Sequence, residues 1–191
     1  ILHDYVRCPH RVTLDAFGDS SMRDPVDTFV ELLWERGNEF ERSVIEGVSE
    51  PFLDVKGLSK VEREELTREA MSRGESLIYG GRIVAGEMIG EPDLLRFDGQ
   101  GYVAGDIKSG AAVEGGDEDA DGKPKPHYAV QLGFYMDVLS RLGAEGQALP
   151  FIWDVHGDEV PYDLGAPRGP RIKLTMWQEY QDVLAAARAI L

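Results

Sequence analysis

The stretch GEPDLLRFDGQGYVAGDIKSG, residues 90–110, places two short apolar runs on either side of an Asp98-Gly99 turn. Dipeptides of this kind favour tight turns between antiparallel strands. If the two strands pair around this turn, Asp93 before the first strand and Asp106 at the end of the second come to the same end of the sheet, about 5 Å apart in backbone spacing. Two carboxylates so close repel each other. Binding of Mg²⁺ or Mn²⁺, which prefer oxygen ligands, relieves that repulsion.

The residues after Asp106 add a positive charge to this end of the sheet. Lys108 lies two positions further on, so both side chains project from one face of the strand while Ile107 points into the opposite core. An ammonium there can orient an attacking water or stabilise charge on a phosphate, and the Ile107 backbone carbonyl can add a metal ligand. An acid–x–Lys pattern alone is usually a surface ion pair, so its weight depends on the other acids near it.

A helix upstream supplies a further carboxylate. Asp24-Pro25 is typical of an N-cap followed by proline at the first helical position, and the apolar pattern continues to about Val48. At 100° per residue, Glu41 falls inside the apolar arc, where a lone carboxylate is costly unless it is paired or binds a cation. A buried Glu–Arg ion pair and a metal ligand both satisfy that condition. The arc, predicted to be buried, contains Val26, Val30, Leu33, Trp34, Phe40, Val44, Ile45 and Val48.

The remaining sequence predicts one α/β domain. The predicted order is helix, helix, three strands, helix, two strands, helix, which favours an α/β sandwich with an antiparallel meander at its centre. The further segments are a charged helix at 59–73 closed by Gly74, strands from Ser76 to Gly110, a mobile acidic loop at 111–126, a helix at 127–142, two strands around a turn at 156–158, and a closing helix at 174–191.

Length and composition set limits on the class of protein. A chain of 191 residues with 42% hydrophobic residues suits a single domain, 1–191, and its start at Ile1 is compatible with a fragment of a longer protein. We find no apolar run of about 18 residues and no secretory signal, and we expect a cytoplasmic protein that does not enter a membrane. Cys8 is the only cysteine, which excludes an internal disulfide, and we expect it to pack in the core.

The net charge of −15 opposes non-specific nucleic-acid binding but leaves room for a local basic groove. We expect the acidic run at 114–121 to hang near the mouth of the site, where it can act as a gate. The acidic run lacks the residue spacing of a calcium-binding loop. The spacing of His10, His127 and His156 is not that of zinc ligands, and His3 lies in a segment expected to fray. The best local phosphate contacts are Lys123, Lys125, His127, Arg168, Arg171 and Lys173.

Four ordered segments resemble the RecB-like branch of the PD-(D/E)XK nuclease superfamily, which is related to the CRISPR-associated RecB-like exonucleases. They are RGNEFE (36–41), GEPDLL (90–95), AGDIKSG (104–110) and HYAVQLGFYMDVL (127–139). The resemblance implies a restriction-endonuclease-like core, with a mixed central sheet of about five strands flanked by helices.

The same resemblance assigns roles to six residues. It implies that Glu41, Asp93 and Asp106 bind Mg²⁺ or Mn²⁺ and that Lys108 is catalytic. It also implies that a Q-x-x-x-Y motif flanks the site, formed by Gln131 and Tyr135, whose i, i+4 spacing places them on one helix face.

What the resemblance implies for function is a metal-dependent deoxyribonuclease, chiefly a DNA exonuclease acting on single strands or ends in repair, recombination or defence, with a larger nuclease or helicase assembly as a potential partner. The alternatives are a catalytically silent module of such an assembly and a hydrolase of another phosphodiester. Two departures stand out. Phe40 replaces a histidine found in many relatives, and only Cys8-Pro9 matches the four cysteines of relatives with an iron–sulfur cluster, so this chain alone cannot form one.

Overall fold

The fold was analysed in a computed structural model that describes residues 1–115 and 122–190. Its helices are α1 (Leu2–Arg7), α2 (Pro9–Phe17), α3 (Thr28–Glu46), α4 (Lys60–Arg73), α5 (Pro126–Arg141) and α6 (Met176–Arg188). Its strands are β1 (Leu53–Asp54), β2 (Leu77–Tyr79), β3 (Ile83–Ala85), β4 (Met88–Gly90), β5 (Leu94–Phe97), β6 (Tyr102–Ile107), β7 (Val113–Glu114), β8 (Lys123–Pro124), β9 (Phe151–Trp153) and β10 (Glu159–Pro161).

A mixed sheet of six strands in the order β1-β2-β5-β6-β9-β10 forms the centre of the molecule and is flanked by helices. The β1–β2 and β6–β9 pairs are parallel, and the other neighbours in this sheet are antiparallel. The predicted α/β architecture is therefore confirmed, with six central strands in place of about five. The predicted meander is interrupted, because β3 and β4 pair with each other as a separate hairpin.

Strand β6 lies in the middle of the core. Every one of its residues is buried, and α5 packs against it. Gly105 is required by the close approach of β9, since a Cβ atom there would lie 2.4 Å from the Phe151 ring. The packing therefore fixes the position of β6, and with it the end of the strand that carries Asp106.

Helix α4 is defined by its two ends and anchors the following turn. Ser59 and Glu62 form a capping box, and Gly74 ends the helix with a left-handed φ of 70°, as predicted. The Arg63 guanidinium donates to the Gly80 carbonyl at 2.9 Å, so α4 holds the chain at the point where it leaves β2.

Helix α3 begins later than predicted. Asp27, and not Asp24, is the N-cap, because its carboxylate accepts a hydrogen bond from the Phe29 N–H at 2.7 Å. That bond satisfies one of the free N–H groups of the first turn, which leaves Pro25 before the helix.

The first half of α3 is exposed, which contradicts part of the predicted buried arc. Val26, just before the helix, is 48% exposed, Leu33 is 50% and Trp34 56% exposed, and Val30 is also exposed. The residues that do pack on the core come from the second half of α3 and the turn after it: Phe40, Val44, Ile45 and Val48. A helical wheel gives the direction of an apolar face, but the length over which that face contacts the core is a tertiary property.

Residues 2–7 and 9–17 form two helices, so the prediction of a frayed opening is wrong. Helix α1 packs against α5 and α6. The His3 ring lies 4.9 Å from the His127 ring, edge to face, and 6.4 Å from the Tyr128 ring. Cys8 is exposed at the N-cap of α2 and does not pack in the core as predicted, because it lies between two short helices of which α1 has no buried residue.

The predicted loop 111–126 contains a short hairpin, since β7 pairs with β8 through Val113 and Pro124. The predicted mobility of 111–126 and the predicted gating role of the acidic run 114–121 fall in part on residues 116–121, which lie outside the described residues. The helix predicted at 127–142, the strands around the 156–158 turn and the closing helix correspond to α5, β9–β10 and α6. Within the described ranges, no helix has the length and apolar character needed to cross a membrane.

Candidate active site

Asp93 and Asp106 lie side by side at one end of the central sheet. Leu94 pairs with Gly105 in the antiparallel β5–β6 ladder. Asp93, before Leu94, therefore lies opposite Asp106, after Gly105, as the predicted hairpin register requires. The Asp93 N–H donates to Asp106 Oδ1 at 3.5 Å, and the Ile107 N–H donates to Asp93 Oδ2 at 2.9 Å. The two carboxylates therefore belong to one hydrogen-bonded unit.

Lys108 is paired with Asp106. The Asp106 side chain is 2% exposed and its Oδ2 forms an ion pair with the Lys108 ammonium. Apart from this ion pair, Oδ2 has no hydrogen-bond partner in the part of the chain that the structure describes. Burial disfavours the Lys108 ammonium, but Asp106 and then Asp93 outweigh it and raise the pKa of Lys108, so the residue is a fixed positive charge at neutral pH.

The environment of Asp93 favours its protonated form. Burial, and then the negative charge of Asp106, raise its pKa to about 7. A carboxylate whose charged form is disfavoured in this way is stabilised in that form by a cation. The aspartate pair therefore has the electrostatic character expected of a cation-binding site.

Glu41 reaches the same end of the sheet from the second half of α3, with a side chain 13% exposed. Its Oε1 accepts a hydrogen bond from the Tyr79 hydroxyl at 2.9 Å and forms an ion pair with the Lys56 ammonium. The Lys56 Nζ lies 3.6 Å from Asp93 Oδ1, so one lysine connects Glu41 with the aspartate pair. The sequence left two partners open for a buried Glu41, an arginine or a metal ion. In the structure Glu41 forms an ion pair, with a lysine in place of an arginine.

Sequence reasoning missed Lys56 and Tyr79. Lys56 follows the two-residue strand β1 in a polar turn, where a lysine gives no signal of burial or of a partner. Tyr79 ends the buried strand β2, and its hydroxyl offered a weak signal, since a buried tyrosine usually needs a hydrogen-bond partner. Burial and Glu41 raise the pKa of Tyr79, so it remains a donor.

Gln131 and Tyr135 lie on one face of α5, as their spacing predicts. The Gln131 amide donates to the Tyr135 hydroxyl at 2.9 Å, and that hydroxyl donates to the Glu91 carbonyl at 3.3 Å. Burial, and then Asp106, raise the pKa of Tyr135 well above its ordinary value. Gln131 Oε1 is buried without a partner among the described residues, which leaves a free acceptor on this helix.

These residues fit a divalent cation in kind. The side chains offer hard oxygen donors, and the three carboxylates face the two positive charges of Lys56 and Lys108. The Ile107 N–H points towards Asp93, and the carbonyl of an extended residue points to the same edge as its N–H. However, no three acidic, histidine or cysteine side chains within 1–115 and 122–190 are already arranged around one point. The Lys56 ammonium contacts Glu41 and lies 3.6 Å from Asp93 Oδ1.

The predicted phosphate contacts differ in availability. Lys125 Nζ lies 5.4 Å from the centre of the Tyr128 ring, and Lys108 Nζ lies 5.5 Å from the same ring, so Lys125 borders the site. Arg168 instead binds Glu179 through two hydrogen bonds, the shorter 2.6 Å long, and is not the free contact that was predicted.

Comparison with known proteins shows the family of this chain. No curated protein matches the chain. A sequence model of the PD-(D/E)XK nuclease superfamily matches residues 7–189. This span includes the three carboxylates, Lys108, and Gln131 and Tyr135 on α5. This name is consistent with the RecB-like branch that the four sequence segments indicate. The chain therefore belongs to the PD-(D/E)XK nuclease superfamily.

Proposed function

We propose that the protein is a Mg²⁺- or Mn²⁺-dependent nuclease that hydrolyses DNA, acting on single strands or ends as an exonuclease in repair, recombination or defence. The single observation that carries the proposal is the placement of Asp93, Asp106 and Lys108 at one end of the sheet, with two paired carboxylates and one partly buried ammonium. Family membership supports nuclease activity in general, and the RecB-like motifs support the choice of DNA.

Glu41, Asp93 and Asp106 would hold the metal ion, with the Ile107 carbonyl as a further ligand. A bound divalent ion lowers the pKa of water and neutralises charge on the phosphate. Asp106 holds the Lys108 ammonium beside this position, where it can orient the attacking water and stabilise negative charge on the phosphate oxygens.

Gln131 and Tyr135 on α5 would act next to these groups. The Tyr135 hydroxyl is tied to the chain before Asp93 through the Glu91 carbonyl, and it holds the Gln131 amide by a hydrogen bond. The free Gln131 Oε1 can then accept a hydrogen bond from substrate or from an ordered water.

Substrate binding must rely on local positive charge, because the protein as a whole carries a net charge of −15. Lys108 and Lys125 flank the Tyr128 ring, and Lys56 is 38% exposed beside Glu41. A few lysines of this kind neutralise only a few phosphates, which suits a short contact with a strand end and predicts a shallow dependence of affinity on salt.

A second candidate is a catalytically silent nuclease-fold module within a larger assembly. The observation that favours it is the ion pair of Glu41 with Lys56, which engages one of the three carboxylates. A hydrolase of another phosphodiester is the third candidate, because the same groups can act on any accessible phosphodiester.

The test uses the purified chain with end-labelled single- and double-stranded DNA, RNA and bis(p-nitrophenyl) phosphate, each with EDTA, Mg²⁺ or Mn²⁺. Lys108→Ala and Asp106→Ala are compared with wild type, and Lys60→Ala is the matched control because Lys60 is an exposed residue of α4. We expect Mn²⁺- and Mg²⁺-dependent shortening of labelled DNA by wild type and Lys60→Ala alone. Equal inertness of all four proteins towards every substrate supports the silent module, and cleavage of the small phosphodiester alone supports the third candidate.

A further inference from the structure

We propose that Lys56 acts as an internal cation of the metal-free site, and that a metal ion must displace its ammonium from Glu41 and Asp93 in order to bind. The inference rests on the proposed function for the identity of the metal-binding carboxylates. It starts from an ammonium that contacts Glu41 Oε1 and lies 3.6 Å from Asp93 Oδ1.

The fold fixes the backbone of Lys56 at this place. A Cβ atom at Gly80 would lie 2.4 Å from the Lys56 Cβ, and Gly80 has a left-handed φ of 69°. The Gly80 N–H donates to the Asp93 carbonyl at 2.8 Å, which connects this contact directly to the aspartate pair. The Lys56 N–H donates to Asp54 Oδ1 at 3.0 Å, which defines the turn after β1. The close approach therefore places Lys56 next to Asp93 through the main chain.

The side chain of Lys56, in contrast, has access to solvent. It is 38% exposed, and the contact that it gives up on leaving, besides those with the two acids, is a cation–π contact of its Nζ 5.2 Å from the centre of the Tyr79 ring. The two carboxylates have other anchors, since Glu41 accepts from Tyr79 and Asp93 accepts from the Ile107 N–H. When the ammonium swings into solvent, both acids can stay in place.

Simultaneous occupation by both cations is unfavourable. An ammonium binds a carboxylate oxygen through its N–H donors, and a divalent ion needs the lone pairs of the same oxygens. The two positive charges would also repel each other over a few ångströms in a partly buried site. Binding of the metal and of Lys56 to Glu41 and Asp93 is therefore competitive, and the linkage lowers the apparent metal affinity.

The displaced ammonium would have a second use. Its main-chain anchor keeps it at the edge of the site, where an incoming phosphate meets few positive charges in a protein of net charge −15. Lys56 would thus neutralise the acids without metal and contact the substrate phosphate with metal.

The experiment measures Mn²⁺ binding in the absence of nucleic acid, by electron paramagnetic resonance of free Mn²⁺ and by calorimetry. Wild type is compared with Lys56→Met, with Lys56→Arg, which keeps the charge, and with Lys60→Met as a matched control. We expect Lys56→Met to bind Mn²⁺ about tenfold more tightly than wild type, within the usual range of coupling between sites. Lys56→Arg and Lys60→Met should bind as wild type does.

A second readout uses the wild-type protein and does not depend on how well Lys56→Met folds. In ¹³C spectra of the lysine Cε groups, the signal that is lost in Lys56→Arg should move on addition of Mg²⁺ to the position of solvent-exposed lysines. An unmoved Lys56 signal under saturating Mg²⁺, or unchanged or weaker Mn²⁺ binding by folded Lys56→Met, overturns the inference.

The outcomes separate this inference from the proposed function. If Lys56→Met binds Mn²⁺ more tightly and the wild-type protein cleaves no nucleic acid, the role of Lys56 stands and the proposed nuclease activity is refuted. If the wild-type protein cleaves DNA and Lys56 has no effect on metal affinity, the nuclease activity stands and the role of Lys56 is refuted. Absence of Mn²⁺ and Mg²⁺ binding in every variant removes both.

Discussion

The Ile107 N–H donates a 2.9 Å hydrogen bond to the Asp93 carboxylate, which joins the last residue of β6 to the residue that precedes β5. Asp93, just before β5, is thus held by β6, which carries Asp106 and leads directly into Lys108. Three of the proposed functional groups are consequently fixed by one hairpin, whereas Glu41 comes from a separate helix and is connected to them through Lys56.

Asp106→Asn should remove cleavage and lower the pKa of Asp93. The negative charge of Asp106 contributes to the raised pKa of Asp93, so a neutral amide of the same shape should bring that pKa down from about 7. We expect a loss of activity of at least about 100-fold, because a metal ligand and the partner of Lys108 are lost together. Carboxyl ¹³C titration gives the pKa, and an unchanged value would contradict the proposed coupling.

The contribution of Asp93 to the stability of the metal-free protein should fall between about pH 4 and pH 7, whereas that of His127, whose pKa burial lowers to about 4, should rise. Asp93 has a raised pKa of about 7 when folded, so over this range the folded state binds more protons than the unfolded state. The stabilisation from Asp93 is complete below the unfolded pKa and is lost as the pH rises through about 7, with a limiting slope of about 1.4 kcal/mol per pH unit. Urea unfolding at several pH values measures it. The slopes of wild type and Asp93→Asn should differ by this contribution, and Asp182→Asn, an exposed control on α6, should keep the wild-type slope.

Metal affinity should show the opposite dependence on pH. Because the metal binds the ionised carboxylate, Mn²⁺ competes with the Asp93 proton and should bind more tightly as the pH rises to about 7, then level off. Calorimetry in buffers of different ionisation enthalpy detects the released proton. A flat affinity between pH 5 and pH 8 would argue against Asp93 as a ligand.

Gly80→Ala should destabilise the protein more than other glycine substitutions of the same type. The new Cβ would lie 2.4 Å from that of Lys56 at a backbone φ of 69°, so strain and steric overlap combine, at a cost of about 1–3 kcal/mol or more. Gly86→Ala is the control for φ alone, since its φ is 63° and it has open space. Gly57→Ala has neither feature and should be near neutral. Equal free energies of unfolding for the three variants would refute the contact.

Gln131→Met should separate stability from activity. Removal of the buried Oε1 without a partner should stabilise the protein, and loss of the amide hydrogen bond to the Tyr135 hydroxyl should destabilise it, so the free energy of unfolding should change by less than about 1 kcal/mol. The same change should lower cleavage, because the acceptor proposed for substrate or water is lost. Thermal unfolding and single-turnover cleavage give the two values, with Gln181→Met on the surface of α6 as control. A variant that is less stable and fully active would show that Gln131 has a structural role only.

The sequence predicted the local relationships in this protein well. The register of Asp93 and Asp106 follows from a turn at Asp98-Gly99, and the common side of Asp106 and Lys108 follows from the period of a strand. Gln131 and Tyr135 meet because residues four apart on a helix are neighbours. In each case a short segment contains all the geometric information.

Relationships between distant segments were not predictable in the same way. Lys56 and Glu41 are 15 residues apart, and they meet only because β1 is parallel to β2 and Gly80 admits the lysine. The exposure of Trp34 depends on how much of α3 contacts the core, which no periodicity encodes. Cys8 is exposed at the junction of two short helices, a position that the residue type does not predict.

The complete burial of β6 has a consequence for how mutations in this protein will be interpreted. Tyr102 to Ile107 carry the core and lead directly into Lys108, so most random substitutions along the strand will lower protein abundance and activity together. A loss-of-function screen would therefore score the strand as one sensitive block and could not distinguish a misfolded protein from an inactive one. Lys108, which lies just past the strand with a side chain 22% exposed, is the position where abundance and activity should separate.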